Sequence, residues 1–423
     1  MQTHLPPSVL EACDSGAANA SGPMMNFGPL GSPLLAGWED PVSGVESRLL
    51  SARVAPQQQS FYFCNPSISA DGRYYWFYCF FPPAGSANQG RSLAVADFWK
   101  NRVTHFPETA FTDASPMVDP RTGETYWCAG LEIWRRGPQA EKAPVLVNRF
   151  PESVARNRRP WRLATHLSFS ADGKDLNIDA EFGRQWFVGH APVDGGPVVI
   201  WQKSGHCHNH SLFSPADPDL QLLCESASVH PLTGAISDSD NPLRLIRRGG
   251  RARPVFPDPI PSGRAVVRKP SHGELIKKPA VATDCRAMHG HHFWGADGRH
   301  VWYVHYETGV ERVRLGSEVP ELVWPHRTVS HAHANADGTL LVLDSLPPDQ
   351  PEDRRVTFVN VRTGRTIDIV SHMPDLPREF MRYHVHPHPQ FCLSDRLVCY
   401  TTTVNGRADV AFVSVDALVA RTS

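Results

Sequence analysis

The sequence carries no C-x-x-C pair, no G-x-S-x-G, no P-loop, no Rossmann glycine pattern and no H-E-x-x-H. Those absences set aside thiol redox motifs, nucleophile elbows, phosphate-cradling loops and zinc-protease helices. No stretch approaches the roughly 18–20 consecutive apolar residues that span a bilayer as a helix. An excess of charge is missing too. Lys+Arg is 42 and Asp+Glu is 43, a net of −1 over 423 residues. A general nucleic-acid binder would carry a basic surplus. The first thirty residues show no basic start followed by an apolar run, so a cytoplasmic protein is expected, or a secreted or periplasmic one if a leader has been trimmed. The 9 cysteines are scattered and odd in number, which reads as buried small apolar groups rather than a disulfide framework. Cys207 and Cys285 sit among histidines and are candidate metal ligands.

What the chain does have is 38 Pro, 31 Gly and 21 His. High Pro and Gly disfavour a helical bundle and suit a turn-rich β protein. A phrase recurs seven times: a strand ending in a small polar residue, an Asp-centred turn, then an aromatic or aliphatic strand. SISADGRYYWFYC (67–79), FWGADGRHVWYVHY (293–306) and HANADGTLLVLDS (333–345) are clear copies. The turn aspartates are Asp71, Asp119, Asp172, Asp217, Asp297, Asp337 and Asp395. Asp-Gly between strand-like runs signals a hairpin. The turns lie 40 to 58 residues apart, save one step of 80, against roughly 40–50 for a four-stranded propeller blade. The expectation is an all-β, seven-bladed β-propeller with four-stranded antiparallel blades. Residues 1–44 read as an N-terminal extension and 45–423 as the propeller, with a blade insertion within 226–284. An irregular β-sandwich is the weaker alternative.

Four His-rich stretches, HCHNHSLFSP (206–215), MHGHHFW (288–294), SHAHANADG (330–338) and RYHVHPHPQF (382–391), each sit beside one of these phrases. Blade equivalence places them at similar depth near the axis. Alternation in an extended segment points His384, His386 and His388 to one face, with Pro387 stiffening the last pair. Neutral imidazoles are ligands for divalent ions. His291 or His292 from another blade would complete a set of three.

HHFWGADGRHVWYVHY, SHAHANADGTLLVLDS, HPHPQF, VNGRADVAFVSV and HSLFSPADPDLQLLCE together resemble oligogalacturonate lyase, a seven-bladed propeller polysaccharide lyase. The similarity covers mainly 165–420. The N-terminal blades (NPSISADGRYYWFYCFFPP, GRSLAVADF, HFPETAF) are similar to propeller ulvan lyases as well. The first resemblance implies a divalent metal, usually manganese, held by His291, His386 and His388. A glutamine three residues before HPHP is the family's fourth ligand; Tyr383 stands there instead, and His384 is its neighbour and candidate substitute. The resemblance also implies His210 as general base and an upstream arginine, for which Arg184 is the candidate; His208 is the next base candidate. The ulvan-type version implies Tyr383 as proton donor and a structural zinc held by His272, Cys285 and His289. The cofactor expectation is thus Mn²⁺ or Zn²⁺, with Ca²⁺ as a third candidate.

These residue types suit β-elimination. The proton on C5 of a uronate is weakly acidic because the adjacent carboxylate is already negative. A cation on that carboxylate stabilises the charge that builds up, and a neutral histidine accepts the proton near pH 7. Flanking His206 and His208 are expected to hold His210 neutral. The implied partner is an anionic uronate-containing oligo- or polysaccharide, with no nucleic acid and no membrane. The rival readings are a propeller glycoside hydrolase, needing two acids across the channel, and a non-catalytic interaction scaffold with an apolar channel.

Overall fold

The computed structural model describes residues 29–229, 236–238, 243–255, 289–345 and 354–423. Its strands form seven antiparallel sheets arranged as the blades of a propeller, numbered here in chain order. Blade 1 is Gln57–Gln59, Tyr74–Phe80, Arg91–Asp97 and Arg102–Phe111. Blade 2 is Met117–Val118, Thr125–Ala129, Glu132–Arg136 and Val145–Arg149. Blade 3 has Asp175–Phe182, Gln185–Pro192 and Val199–Ser204, its first-strand place taken by isolated bridges of Phe169 to Leu176 and Arg162 to Glu181. Blade 4 is His206–Phe213, Leu220–Val229, Leu243–Arg247 and Arg253–Pro254, with Ile236–Asp238 added beside its second strand. Blade 5 is His289–Trp294, His300–His305, Gly309–Arg314 and Glu321–Pro325. Blade 6 is Val329–Ala334, Leu340–Ser345, Arg355–Asn360 and Arg365–Val370.

Blade 7 joins the two ends of the chain. Gln390–Cys392, Leu397–Thr402 and Asp409–Ser414 are followed outward by Glu46–Leu50 and Leu35–Glu39. The strand Leu35–Glu39 therefore lies ahead of the boundary expected at residue 45. Of the expected insertion, the described part supplies strands of blade 4; residues 256–284 lie outside the described residues.

Each recurring aspartate sits in the turn between a blade's first and second strands. In six blades its carboxylate accepts the backbone N–H two residues on, from Arg73, Arg121, Lys174, Asp219, Arg299 and Thr339 at 2.9–3.2 Å. This is the Asx turn, which fixes a tight reversal locally. Asp395 differs: it caps Ala336 N of blade 6 at 2.8 Å, tying two blades together. The core lies between the blades. In Tyr74–Phe80, Tyr75 and Phe77 pack toward Phe412 of blade 7, while Trp76 and Tyr78 pack toward Trp127 of blade 2. A strand buried on both faces reads as a continuous apolar run, as this one does. Cys79, Cys128, Cys224, Cys392 and Cys399 are buried. Among the described residues no helix is long and apolar enough to cross a membrane.

Candidate active site on the propeller axis

The first strands of the blades begin on one face, and that end of the axis is lined by aromatic nitrogen rings. Tyr62 of blade 1 is the hub: its ring lies 4.2 Å from His166, 4.6 Å from His388, 5.7 Å from His331 and 5.9 Å from His210. His166 comes from the segment entering blade 3, His210 from blade 4, His291 from blade 5, His331 from blade 6, and His384, His386 and His388 from the entry to blade 7. Imidazoles separated by more than 200 residues therefore share one pocket.

Local backbone distortion aims these rings. His210 and His291 fall at register breaks in the first strands of blades 4 and 5, with φ of 52° and 49°. A bulge re-aims a side chain that a regular strand would place elsewhere. His384 and His388 also have positive φ, 53° and 44°. The segment carrying them is no strand: a 3-10 turn, Arg378–Tyr383, ends at His384, and strand pairing resumes only at Gln390. The expected alternation is thus replaced by turns, yet the three rings gather, at 3.9 Å (384 to 386), 5.7 Å (386 to 388) and 6.2 Å (384 to 388).

His331, His386 and His388 bring ligand nitrogens within 4.8 Å of one another. His331 is the residue missed by sequence reasoning. Its stretch, SHAHANADG, was flagged, but the resemblance directed attention to His291. Asp344 fixes His331: its Nδ1 lies 3.0 Å from each carboxylate oxygen, and its backbone N–H donates to the same group at 2.8 Å. The backbone N–H of His388 donates to the other oxygen at 3.2 Å, so one buried carboxylate holds two of the three rings. With Nδ1–H on Asp344, His331 presents the Nε2 lone pair, the arrangement that orients a metal-binding imidazole. That Nε2, His386 Nδ1 and both ring nitrogens of His388 are buried without a hydrogen-bond partner. Buried polar atoms are nearly always paired; an orphaned nitrogen from each of three imidazoles, the ligand atoms within 4.8 Å of one another, fits a divalent ion of borderline softness.

His291 stands beside this trio rather than within it. Its ring is 4.1 Å from His331, and its Nδ1 is taken by Ser330 O and approached by the Tyr306 hydroxyl at 3.1 Å. His210 Nδ1 meets His166 Nε2 at 2.8 Å. Burial first, then the neighbouring His166 and His292, push the His210 pKa well below its usual value. His206 and His208 are not its neighbours in space: both face Glu225, His208 Nε2 at 3.0 Å. His208 is therefore directed away from the axis, because alternate residues of the strand diverge around the bulge. Tyr383 also departs from expectation. Its hydroxyl donates to Ala84 O at 2.8 Å and its ring stacks on Phe80 at 4.8 Å, so the hydroxyl is committed to the main chain.

Arg184 is exposed at the tip of the hairpin joining Phe182 to Gln185. The arginine among the imidazoles is Arg162, buried and paired with Glu181 at 2.8 Å and Asp113 at 3.6 Å. Its charge helps lower the pKa of both His166 and His210. Nothing in its sequence context marked it. Cys207, also beside Arg162, has its thiol pushed up to about 11 by burial, and it belongs to neither of the two ligand groups found among the described residues. His272 and Cys285 lie outside the described residues; His289 groups instead with His305 and Glu311 of the same blade.

No protein-family model matches the chain. Over 154 residues it is 28% identical to an oligogalacturonate lyase of Dickeya dadantii, covering 32% of this chain and 38% of that protein. The matched stretch thus spans well under half of that curated relative. Two solved structures share the fold. An oligogalacturonate lyase in complex with manganese matches with a TM-score of 0.67 and 15% identity, over 90% of this chain and 96% of the other. An oligogalacturonate lyase from Vibrio parahaemolyticus matches with a TM-score of 0.67 and 14% identity over the same shares. The chain is a seven-bladed β-propeller similar to oligogalacturonate lyase, in sequence over about a third of its length and in fold over nearly all of it.

Proposed function

We propose that this protein is a lyase that cleaves uronate-containing oligosaccharides by β-elimination. One observation carries the reading: His331, His386 and His388 converge with unpaired buried nitrogens beside the rings of His166, His210 and His291 on the axis. A glycoside hydrolase would place two acids there, and a scaffold would fill the channel with apolar side chains. The trio would hold the metal; when bound, it supplies positive charge for the uronate carboxylate and so acidifies the neighbouring C–H.

The remaining steps belong to the chain's own groups. His210 Nδ1 is engaged with His166, which leaves Nε2 to take the C5 proton as general base. Its neutrality follows from burial and from His166 and His292 nearby. The electron pair released at C5 forms the C4–C5 double bond, the C4–O4 bond breaks, and the leaving oxygen takes its proton from water. The substrate favoured here is a short homo-uronate such as oligogalacturonate; a polymer alternating uronate with other sugars, as in ulvan, is the competitor.

The test is the ultraviolet absorbance of unsaturated product from galacturonate and ulvan oligomers with manganese supplied. Asn tolerates positive φ, so His210→Asn keeps the backbone while removing the base. It is expected to lower kcat by about 10²–10⁴-fold. Loss with His291→Asn and none with His210→Asn would transfer the base role to His291. His331→Ala is expected to release metal, read by elemental analysis of the purified protein. Absence of unsaturated product from every uronate tried overturns the reading.

A further inference from the structure

A cavity of about 220 Å³ opens against His384 and His386, the second a member of the imidazole trio. Its wall is cationic and apolar together: Arg354 and Arg378 line it with Phe380 and Met381. Arg354 makes an ion pair with Asp375, which also lines the cavity, while its Nε is buried without a partner. Arg378 opens the 3-10 turn that leads into His384 and is exposed. Among the described residues it pairs with no carboxylate. Met381 is 76% exposed beside it. A solvent-facing methionine and a half-buried phenylalanine next to an uncommitted guanidinium suit a sugar ring, which offers an apolar face and, in a uronate, a carboxylate.

We propose that this cavity is a subsite for the uronate adjoining the one that reacts, with Arg378 pairing with its carboxylate, and that it selects chains of consecutive uronates. The inference rests on the lyase reading, since the reacting sugar is what sits on the trio. It makes a sharper claim about substrate. The guanidinium fork recognises a carboxylate in two-point fashion, so a neutral sugar in this place gains nothing from it.

The experiment compares wild type, Arg378→Ala and Arg378→Lys on a galacturonate trimer and on an oligomer alternating uronate with a neutral sugar. Arg378→Ala is expected to raise KM for the trimer about tenfold, the scale of one charge-assisted pair, with kcat and melting temperature little changed. KM for the alternating oligomer should stay where it was, and Arg378→Lys should recover part of the loss. Unchanged trimer KM in Arg378→Ala, or equal losses on both substrates, overturns the subsite. If wild type forms no unsaturated product, the lyase reading fails. Calorimetric binding of the trimer then decides the subsite by itself: weaker binding by Arg378→Ala upholds it, and equal or undetectable binding overturns it.

Discussion

Four histidines here adopt a backbone conformation that L-residues rarely take: His210, His291, His384 and His388 have φ between 44° and 53°. Such positions cost of the order of 1–3 kcal/mol each and gather where function needs a side chain turned out of its regular place. They explain why the histidine stretches were legible in the sequence while the roles within them were not. Spacing showed that imidazoles recur at equivalent blade positions. It did not show which residue of HCHNHS turns inward, because a bulge leaves no residue signature when the bulged residue is itself the functional one. The same bulge sends His208 to Glu225. That pair has a measurable consequence. The His208 hydrogen bond first, with Arg244 and His206 adding to it, holds the Glu225 carboxyl down to about 2 from 4.5, against the opposing effect of burial. A depressed carboxyl stabilises the fold above its unfolded pKa, and that contribution is lost as pH falls from about 4.5 toward 2. Urea unfolding of wild type and Glu225→Gln should differ by about 2 kcal/mol at pH 6, with the gap closing as pH approaches 2. A gap independent of pH would show that Glu225 acts through packing alone.

The blade, as an element, was the most legible feature. Asp-Gly turns act locally: the carboxylate, the following N–H and a glycine free to take positive φ need no tertiary help. Four such turns, with the Asp-centred turns at Asp119, Asp217 and Asp395, therefore announced seven blades. Blade 3 shows the limit of that signal. Its first strand is reduced to two bridges, yet the turn at Asp172 is intact, so the phrase persists where the strand does not. Its third and fourth strands meet at a different constraint. At Gly189 a register break brings Val199 O to 2.1 Å from where a Cβ would sit, with Ile200 Cα at 3.1 Å. Both obstacles are main chain and cannot rotate away. Gly189→Ala should part the strands of this blade and cost about 2–3 kcal/mol, read as a lower denaturant midpoint. Because Gln221 Nε2 donates to Gly189 O at 2.8 Å, the parting should also loosen blade 4, which carries His210. A midpoint equal to that of wild type would mean that the sheet yields at no cost.

At the scale of the whole molecule, the pocket exists only because the ring of blades is closed. Its candidate ligands come from blades 6 and 7 and its neighbouring imidazoles from blades 3, 4 and 5, so the rings meet only if the last blade is pinned to the first. Blade 7 does this by pairing Glu46–Leu50 with Asp409–Ser414, through Arg48 to Phe412 and Leu49 to Ala411. Little in the sequence signals it: the turn at Asp40, whose carboxylate accepts the backbone N–H of Val42 at 3.1 Å, stands outside the seven recurring phrases, and the pairing spans some 360 residues. Leu49 is buried in the core shared by blades 6 and 7, with Val356, Phe358 and Phe391. Leu49→Asp would place an unpaired carboxylate there, a penalty expected to exceed about 4 kcal/mol. It would also strand the edge of Asp409–Ser414, which then becomes a template for intermolecular pairing. The expected outcome is twofold: aggregation on mild heating, and loss of metal retention, although Leu49 belongs to the outer part of the blade and lines no part of the pocket. Leu49→Met, which conserves volume, should retain both properties. Retained metal in a destabilised Leu49→Asp protein would show that blades 6 and 7 hold the trio together without closure, and that the axis site is a property of two neighbouring blades rather than of the ring.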